Sequence, residues 1–297
     1  MSIERAPPAK RSYRRSAGLL TVALGIAGVL TYAFFAIASH SLDAEQYGNI
    51  VILWSVVFLL ASTLFRPIEQ LLTWTLAERE QVGAESADAL RAAAVIQGAV
   101  CAVAVLVLLL ARNTIERELF AGQDALYWIL IASLLGFGLA YYARGFLAGR
   151  GQFRLYASLL LIEVSSRLAF AVAVAAGIAS GASFVALGIA TAPIAVIIVL
   201  PIAVAKRPEH HRPKLEQSGP EASTQLTLGR GGAFAGAVLV MMLSEQVLIN
   251  AGALFVRAAE GAAAAGFIFN VMMIARAPLV LFQAIAASLL PHLTRLR

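Results

Sequence analysis

LRAAAVIQGAVCAVAVLVLLL, Leu90 to Leu110, has one charged residue near its start, Arg91, and none after it. About twenty residues of α-helix, rising about 1.5 Å each, cross the roughly 30 Å hydrocarbon core of a bilayer. A surface helix of a soluble domain needs a polar face. Beyond Arg91 this stretch offers only Gln97 and otherwise apolar or small residues. The alternation that marks a membrane β-barrel is absent. In lipid, an open chain satisfies its own backbone N–H and C=O groups only as a helix. The stretch therefore reads as a transmembrane helix.

Blocks of the same kind recur on both sides, and about eight spans are predicted. They are Ala17–Ser39, Gly48–Leu72, Leu90–Leu110, Leu126–Ala143, Leu155–Gly177, Ser183–Ala205, Gly232–Phe255 and Ala262–Leu290. The whole chain agrees: of 297 residues, 60% are hydrophobic and 13% charged, with a mean hydropathy of +0.81. A soluble domain of this length would need a much larger polar surface. The expected fold class is all-α, a polytopic membrane protein. A six-helix lobe with a basic N-terminus fills residues 1–205 and a linker fills 206–230. Residues 231–297 form the first two helices of a second lobe.

A net charge of +6 is compatible with nucleic-acid binding, but the basic residues lie between apolar blocks and read as topology signals. The N-terminal KRSYRR, the loops with Arg144, Arg150 and Arg154, and the stretch with Lys206, Arg207, Arg212 and Lys214 are basic. The alternate loops hold little beyond Arg112, Arg117 and Arg257. This pattern predicts both termini in the cytoplasm. Basic residues, an apolar run and Ala36-Ile37-Ala38 resemble a signal peptide. The run is long for one and further spans follow, so it is expected to stay in place.

The tools of soluble catalysis are missing. No Walker sequence, H-E-x-x-H or G-x-S-x-G occurs. Gly229-Arg230-Gly231-Gly232 follows no strand. Cys101 stands alone in an apolar run and reads as a small packed residue. The linker KRPEHHRPKLEQSGPEASTQ carries Pro208, Pro213, Pro220 and an adjacent pair, His210-His211, which reads as solvated. An enzyme, a resident metal and an organic cofactor are not expected.

Six helices, a linker and a restart on the same side suggest parallel repeats. Tyr47-Gly48 finds an echo in Ala265-Gly266, and Arg66-Pro67 in Arg276-Ala277-Pro278. The internal distances differ. On this reading, a complete second half would hold about four further helices.

A charge at the centre of a membrane helix costs about 2.5–3.5 kcal/mol on insertion scales, so each one needs a partner or water. Glu163 and Arg167 lie one turn apart in LLLIEVSSRLAF, in the favourable order for pairing. They read either as a packing lock or with Arg167 facing an anion. Glu245, in MMLSEQVLIN, has no charged neighbour within a turn, while Gln246 and Asn250 share an adjacent stripe. Arg276 in the next span is its expected distant partner, and Pro278 would loosen the helix there. Arg66 is expected to reach toward the headgroups, with Pro67 kinking its helix and Glu69 pairing locally. Trp54, Trp74, Tyr127 and Trp128 fit aromatic belts where they lie near span ends.

The segment YYARGFLAGRGQFRLYASLLLIEVSSRLAFAVAVAAG, Tyr141 to Gly177, resembles the fourth and fifth helices of bacterial polysaccharide biosynthesis proteins. These belong to the superfamily of MATE exporters and oligosaccharide-lipid flippases. The resemblance rests on Arg144-Gly145, Gly149, Phe153-Arg154, Glu163 and Arg167. Glu245 followed by Ala265-Gly266 is a second match, and Tyr47-Gly48 a third.

The resemblance implies two bundles that open alternately around a partly cationic cavity, with a polyprenyl-diphosphate-linked sugar as cargo. Arg167, Arg276 and Arg66 would meet the diphosphate. Glu163, Glu245 and Glu69 would tune those arginines or take up a coupling ion, proton or sodium. Members usually have twelve to fourteen helices, so a fragment, or a subunit completed by a second chain in a glycan assembly complex, is the alternative expectation. Drug–cation antiport within the same superfamily is another, and the intramembrane arginines count against it.

Overall fold

The computed structural model describes residues 8–83, 86–205 and 228–276. Among them every regular element is helical: α1 Pro8–Ser41, α2 Ala44–Val82, α3 Ala87–Leu110, the short α4 Arg112–Thr114 running into a π-turn at Ile115–Leu119, α5 Asp124–Gly149, α6 Phe153–Ala175, α7 Ala182–Ile189, α8 Ala192–Ala205 and α9 Leu228–Glu260. A further helix, α10, covers Ala262–Arg276. Six stretches are long and apolar enough to cross a membrane: Gly18–Ser41, Ala44–Glu80, Ala87–Leu110, Asp124–Gly149, Phe153–Ala175 and Val240–Glu260. The chain is a multi-pass helical membrane protein. The linker after residue 205, and the part of the eighth predicted span beyond Arg276, lie outside the described residues.

Local chemistry sets several boundaries. Asp43 caps α2 by accepting the Gln46 N–H at 2.8 Å. Gly83, at φ 68°, closes α2 in the left-handed conformation that glycine adopts without strain. Pro67 does not end α2, which runs on as one 39-residue helix. At about 1.5 Å per residue that is about 58 Å, well beyond the hydrocarbon thickness. The predicted sixth span is not one helix but two, broken at Ala190-Thr191. Pro193 has no N–H for the carbonyl four residues back. The Thr191 hydroxyl also donates to the Gly188 carbonyl at 2.7 Å, so a side chain takes an acceptor that helix backbone would use.

Cross-contacts orient the bundle. Tyr127 near the start of α5 donates to the Leu108 carbonyl near the end of α3, and Tyr142 donates to Leu90, so α3 and α5 run antiparallel. The α1–α2 turn borders a groove of about 600 Å³ with the α6–α7 turn, and the α9–α10 turn meets the start of α2. These turns share what is here called the first end. The α5–α6 turn lies at the second end, where Gln152 reaches the Ala203 carbonyl of α8 at 3.4 Å.

α2 is the central element. It packs along α5 and α9, and Ile50, Val51, Ile52, Leu53, Val57, Ala61 and Phe65 are completely buried. α1 packs along α6. A helix without side-chain bulk lets its neighbour approach closely, which matters where lipid supplies no hydrophobic drive. On α5, a Cβ at Gly145 would stand 3.0 Å from the Glu69 carbonyl oxygen, and one at Gly149 2.7 Å from the Leu76 Cβ. α3 is peripheral and exposes Val95, Val103, Leu106, Val107 and Leu110, the apolar face that lipid covers.

α10 seats against α1 and α2. Phe269 lies 4.7 Å from Phe35 between ring centroids, and the Tyr32 hydroxyl donates to the Met273 carbonyl at 2.9 Å. The Tyr47 hydroxyl donates to Asn270. Gly48 touches the Ala262 carbonyl so closely that no side chain fits between them, and Gly266 faces Tyr47 and Gly48 in return. The two sequence echoes, Tyr47-Gly48 and Ala265-Gly266, therefore meet face to face.

Candidate functional site

Five charged residues of α2, α5 and α6 form one ladder, with Arg144, Glu163 and Arg167 buried and Arg66 and Glu69 half-buried. Glu163 on α6 is its hub. Its Oε1 accepts from Arg167 one turn later at 3.0 Å, and its Oε2 accepts from Arg144 on α5. All three are buried, Arg144 being 7%, Glu163 3% and Arg167 2% exposed. A buried carboxylate shared by two guanidiniums is stabilised because each charge is desolvated only in the company of its opposite. The expected Glu163–Arg167 pair is present, but as two sides of a triad.

Arg167 is closed off further by aromatic faces. Its guanidinium lies 4.6 Å from the Trp54 ring and 5.7 Å from that of Phe58, and those rings stack on each other at 3.9 Å. Ring quadrupoles attract such a cation. Trp54 thus serves as a lid on an arginine and not as a belt residue. On the other side, a Cβ at Gly188 would stand 3.0 Å from the Arg167 carbonyl, and Ser166 meets Thr191 at 2.9 Å. The break between α7 and α8 is pinned beside the ladder. The side-chain Nε atoms of Arg144 and Arg167 are buried without a partner among the described residues.

The ladder continues toward the second end. Arg144 lies 4.9 Å over the Tyr141 ring, and Tyr141 shares a hydrogen bond with Ser62 of α2 at 3.2 Å. Glu69 on α2 feels Arg144 and Arg66 electrostatically, and its Oε1 accepts the Tyr156 hydroxyl at 3.0 Å. Its partner is thus a tyrosine on α6 and not the local arginine. Arg66, one turn earlier, is half-buried and has no hydrogen-bond or ion-pair partner within reach among the described residues. Tyr156 lies three residues into α6 and Arg167 fourteen, so the ladder rises about 16 Å into the membrane.

Arg144 is the residue that sequence reasoning misplaced. It reads as part of a basic loop because the apolar window closes at Ala143, yet α5 runs on to Gly149 and holds it inside. The apolar residues Phe146, Leu147 and Ala148 after it are the signal that could have moved the boundary.

The α9–α10 pair keeps its charges apart. Glu245 is exposed on α9 and has no ion-pair partner among the described residues. Arg276 donates to the backbone carbonyl of Ile249 at 2.6 Å and does not reach Glu245. Gln246 and Asn250 do lie on one stripe, both buried, with the Asn250 amide 3.0 Å from the Gln246 carbonyl. Pro278 and His210-His211 lie outside the described residues.

At the first end, Arg112 bonds Glu116 at 3.3 Å and Asp124 at 2.7 Å. Desolvation pulls its guanidinium down, but the two carboxylates outweigh that and hold it above its ordinary value. This half-exposed cluster ties the α3–α5 connection, and Arg112 also lies 5.6 Å over the ring of the buried Tyr127 and 5.3 Å over that of Trp128.

Comparison with protein-family models, with curated proteins and with solved structures returned no match.

Proposed function

We propose that this chain moves a polyprenyl-diphosphate-linked oligosaccharide from the inner to the outer leaflet of a bacterial inner membrane by alternating access, with both termini in the cytoplasm. The observation that carries the reading is the ladder. It sets Arg66, Arg144 and Arg167 against only Glu69 and Glu163, an excess of positive charge inside a membrane. Such an excess is costly unless something anionic uses it. A diphosphate is such a group, because lipid rejects its charge and arginine matches its oxygens in a planar fork. A drug–cation antiporter calls for the opposite balance.

In this arrangement α10 closes the first end against α1 and α2. Arg276, half-buried and held by one backbone carbonyl among the described residues, can exchange that partner for a phosphate oxygen. The ladder would supply the field that draws the headgroup in, and rocking of α9 and α10 would open the way out.

The test is reconstitution in vesicles with a labelled polyprenyl-diphosphate sugar, alone and with candidate partner chains. The wild-type chain should speed its appearance in the opposite leaflet. Arg276→Ala should abolish the effect at unchanged protein levels, and Arg276→Lys should retain part of it. No acceleration in any of these mixtures defeats the reading.

A second reading follows from Glu163, whose two oxygens are both occupied. A lock of that kind also suits a non-transporting subunit of a glycan assembly complex. Co-purification with a partner, and loss of both when either is deleted, would favour it.

A further inference from the structure

The carboxylates of the ladder are not equivalent. Glu163 has an arginine on each oxygen, so adding a proton would break an ion pair and strand a buried guanidinium. Glu69 has no cation within salt-bridge distance among the described residues. Its Oε1 accepts a neutral tyrosine hydroxyl, and its Oε2 has no hydrogen-bond partner among them. It sits at the level of the first turn of α6, about 4.5 Å along that helix from its start. A proton from water at the second end has a short way to travel.

We infer that Glu69 is the proton-exchange site of this ladder: Oε2 takes a proton from water at the second end and returns it there, while both oxygens of Glu163 stay engaged by arginines. The groups that face Glu69 are Tyr156 and Glu163 from α6, Arg144 and Tyr141 from α5, and Arg66 from α2 itself. Ionised, Glu69 competes with Glu163 for the field of Arg144. Protonated, it leaves that field to Glu163 and raises the net charge of the five ladder residues by one. On the proposed function, a more positive ladder holds an anionic headgroup more tightly, so proton uptake and cargo binding reinforce each other. Gly145 fits this role, since its missing side chain brings the α5 backbone to within van der Waals reach of Glu69.

The experiment is infrared difference spectroscopy of the purified chain in lipid nanodiscs, titrated from acid to alkaline pH. Wild type should show, over and above the bands of its other carboxylates, a protonated-carboxyl band that fades as pH rises. Glu69→Gln should remove this band and Glu163→Gln should keep it. Tyr156→Phe preserves the packing but removes the donor to the ionised form. It should keep the band and move its midpoint upward by about one pH unit. A band that survives Glu69→Gln, or a midpoint unmoved by Tyr156→Phe, overturns the inference. The band is read without transport. A chain that titrates at Glu69 but moves no lipid-linked sugar keeps the inference and sinks the flippase reading, and the reverse result sinks the inference alone.

Discussion

The α2–α5–α6 ladder and the α9–α10 hairpin both place charges inside apolar helices, and they treat them in opposite ways. In the ladder, Glu163 is held by two arginines, and Arg167 is in turn covered by an indole beside a helix break. In the hairpin, Glu245 is exposed and Arg276 holds a backbone carbonyl. The difference shows that an intramembrane charge has no meaning on its own. Where three helices converge it becomes structure, and where one helix presents it outward it stays available.

The largest expected effect comes from breaking the hub. Glu163→Ala leaves two buried guanidiniums facing each other, and should cost about 3–5 kcal/mol of stability. Unfolding in detergent, followed by circular dichroism, measures it. Replacing Glu163, Arg144 and Arg167 together by Leu, Met and Met should recover most of that loss, because no charge is then left unpaired. If the triple variant is as unstable as Glu163→Ala, packing and not charge sets the cost.

The next effect is at the seam between the two regions. Gly48→Val places a side chain where the Ala262 carbonyl already lies, and should cost about 1–3 kcal/mol through overpacking. Cross-linking of the Tyr47→Cys, Asn270→Cys double variant by a short bis-thiol reagent that spans the vacated side chains should be efficient with Gly48 and lost with Gly48→Val. Unchanged cross-linking would show that α10 seats elsewhere. Tyr47→Phe removes only the hydrogen bond to Asn270 and should cost about 0.5–1.5 kcal/mol by the same unfolding assay.

The smallest effect is expected at the exposed carboxylate. Glu245→Gln should change stability by less than about 0.5 kcal/mol. A loss comparable to that of Glu163→Ala would mean that Glu245 has a buried partner, and the contrast between the two regions would collapse.

Much of this was legible in the residues. The apolar blocks announce membrane helices, since lipid leaves the backbone no other state, but not their number: six of the about eight predicted spans are long enough among the described residues. The one-turn spacing of Glu163 and Arg167 announces a pair. Arg144 was hidden because its partner lies nineteen residues away on another helix, and spacing rules reach only one turn. Tyr156 was hidden likewise, since its partner Glu69 is on α2. The break at Ala190-Thr191 had a local cause in Pro193, but the apolar content of Ser183–Ala205 masked it.

The echo between Tyr47-Gly48 and Ala265-Gly266 was visible as similarity only. That the two stretches touch is a fact of packing, because missing side chains on both helices allow an approach that no periodicity specifies. By itself, the sequence determined that this chain is a bundle of membrane helices carrying charges that lipid should reject. Only the tertiary structure decided which charges neutralise one another, because that depends on which helices lie side by side and how closely glycine lets them come.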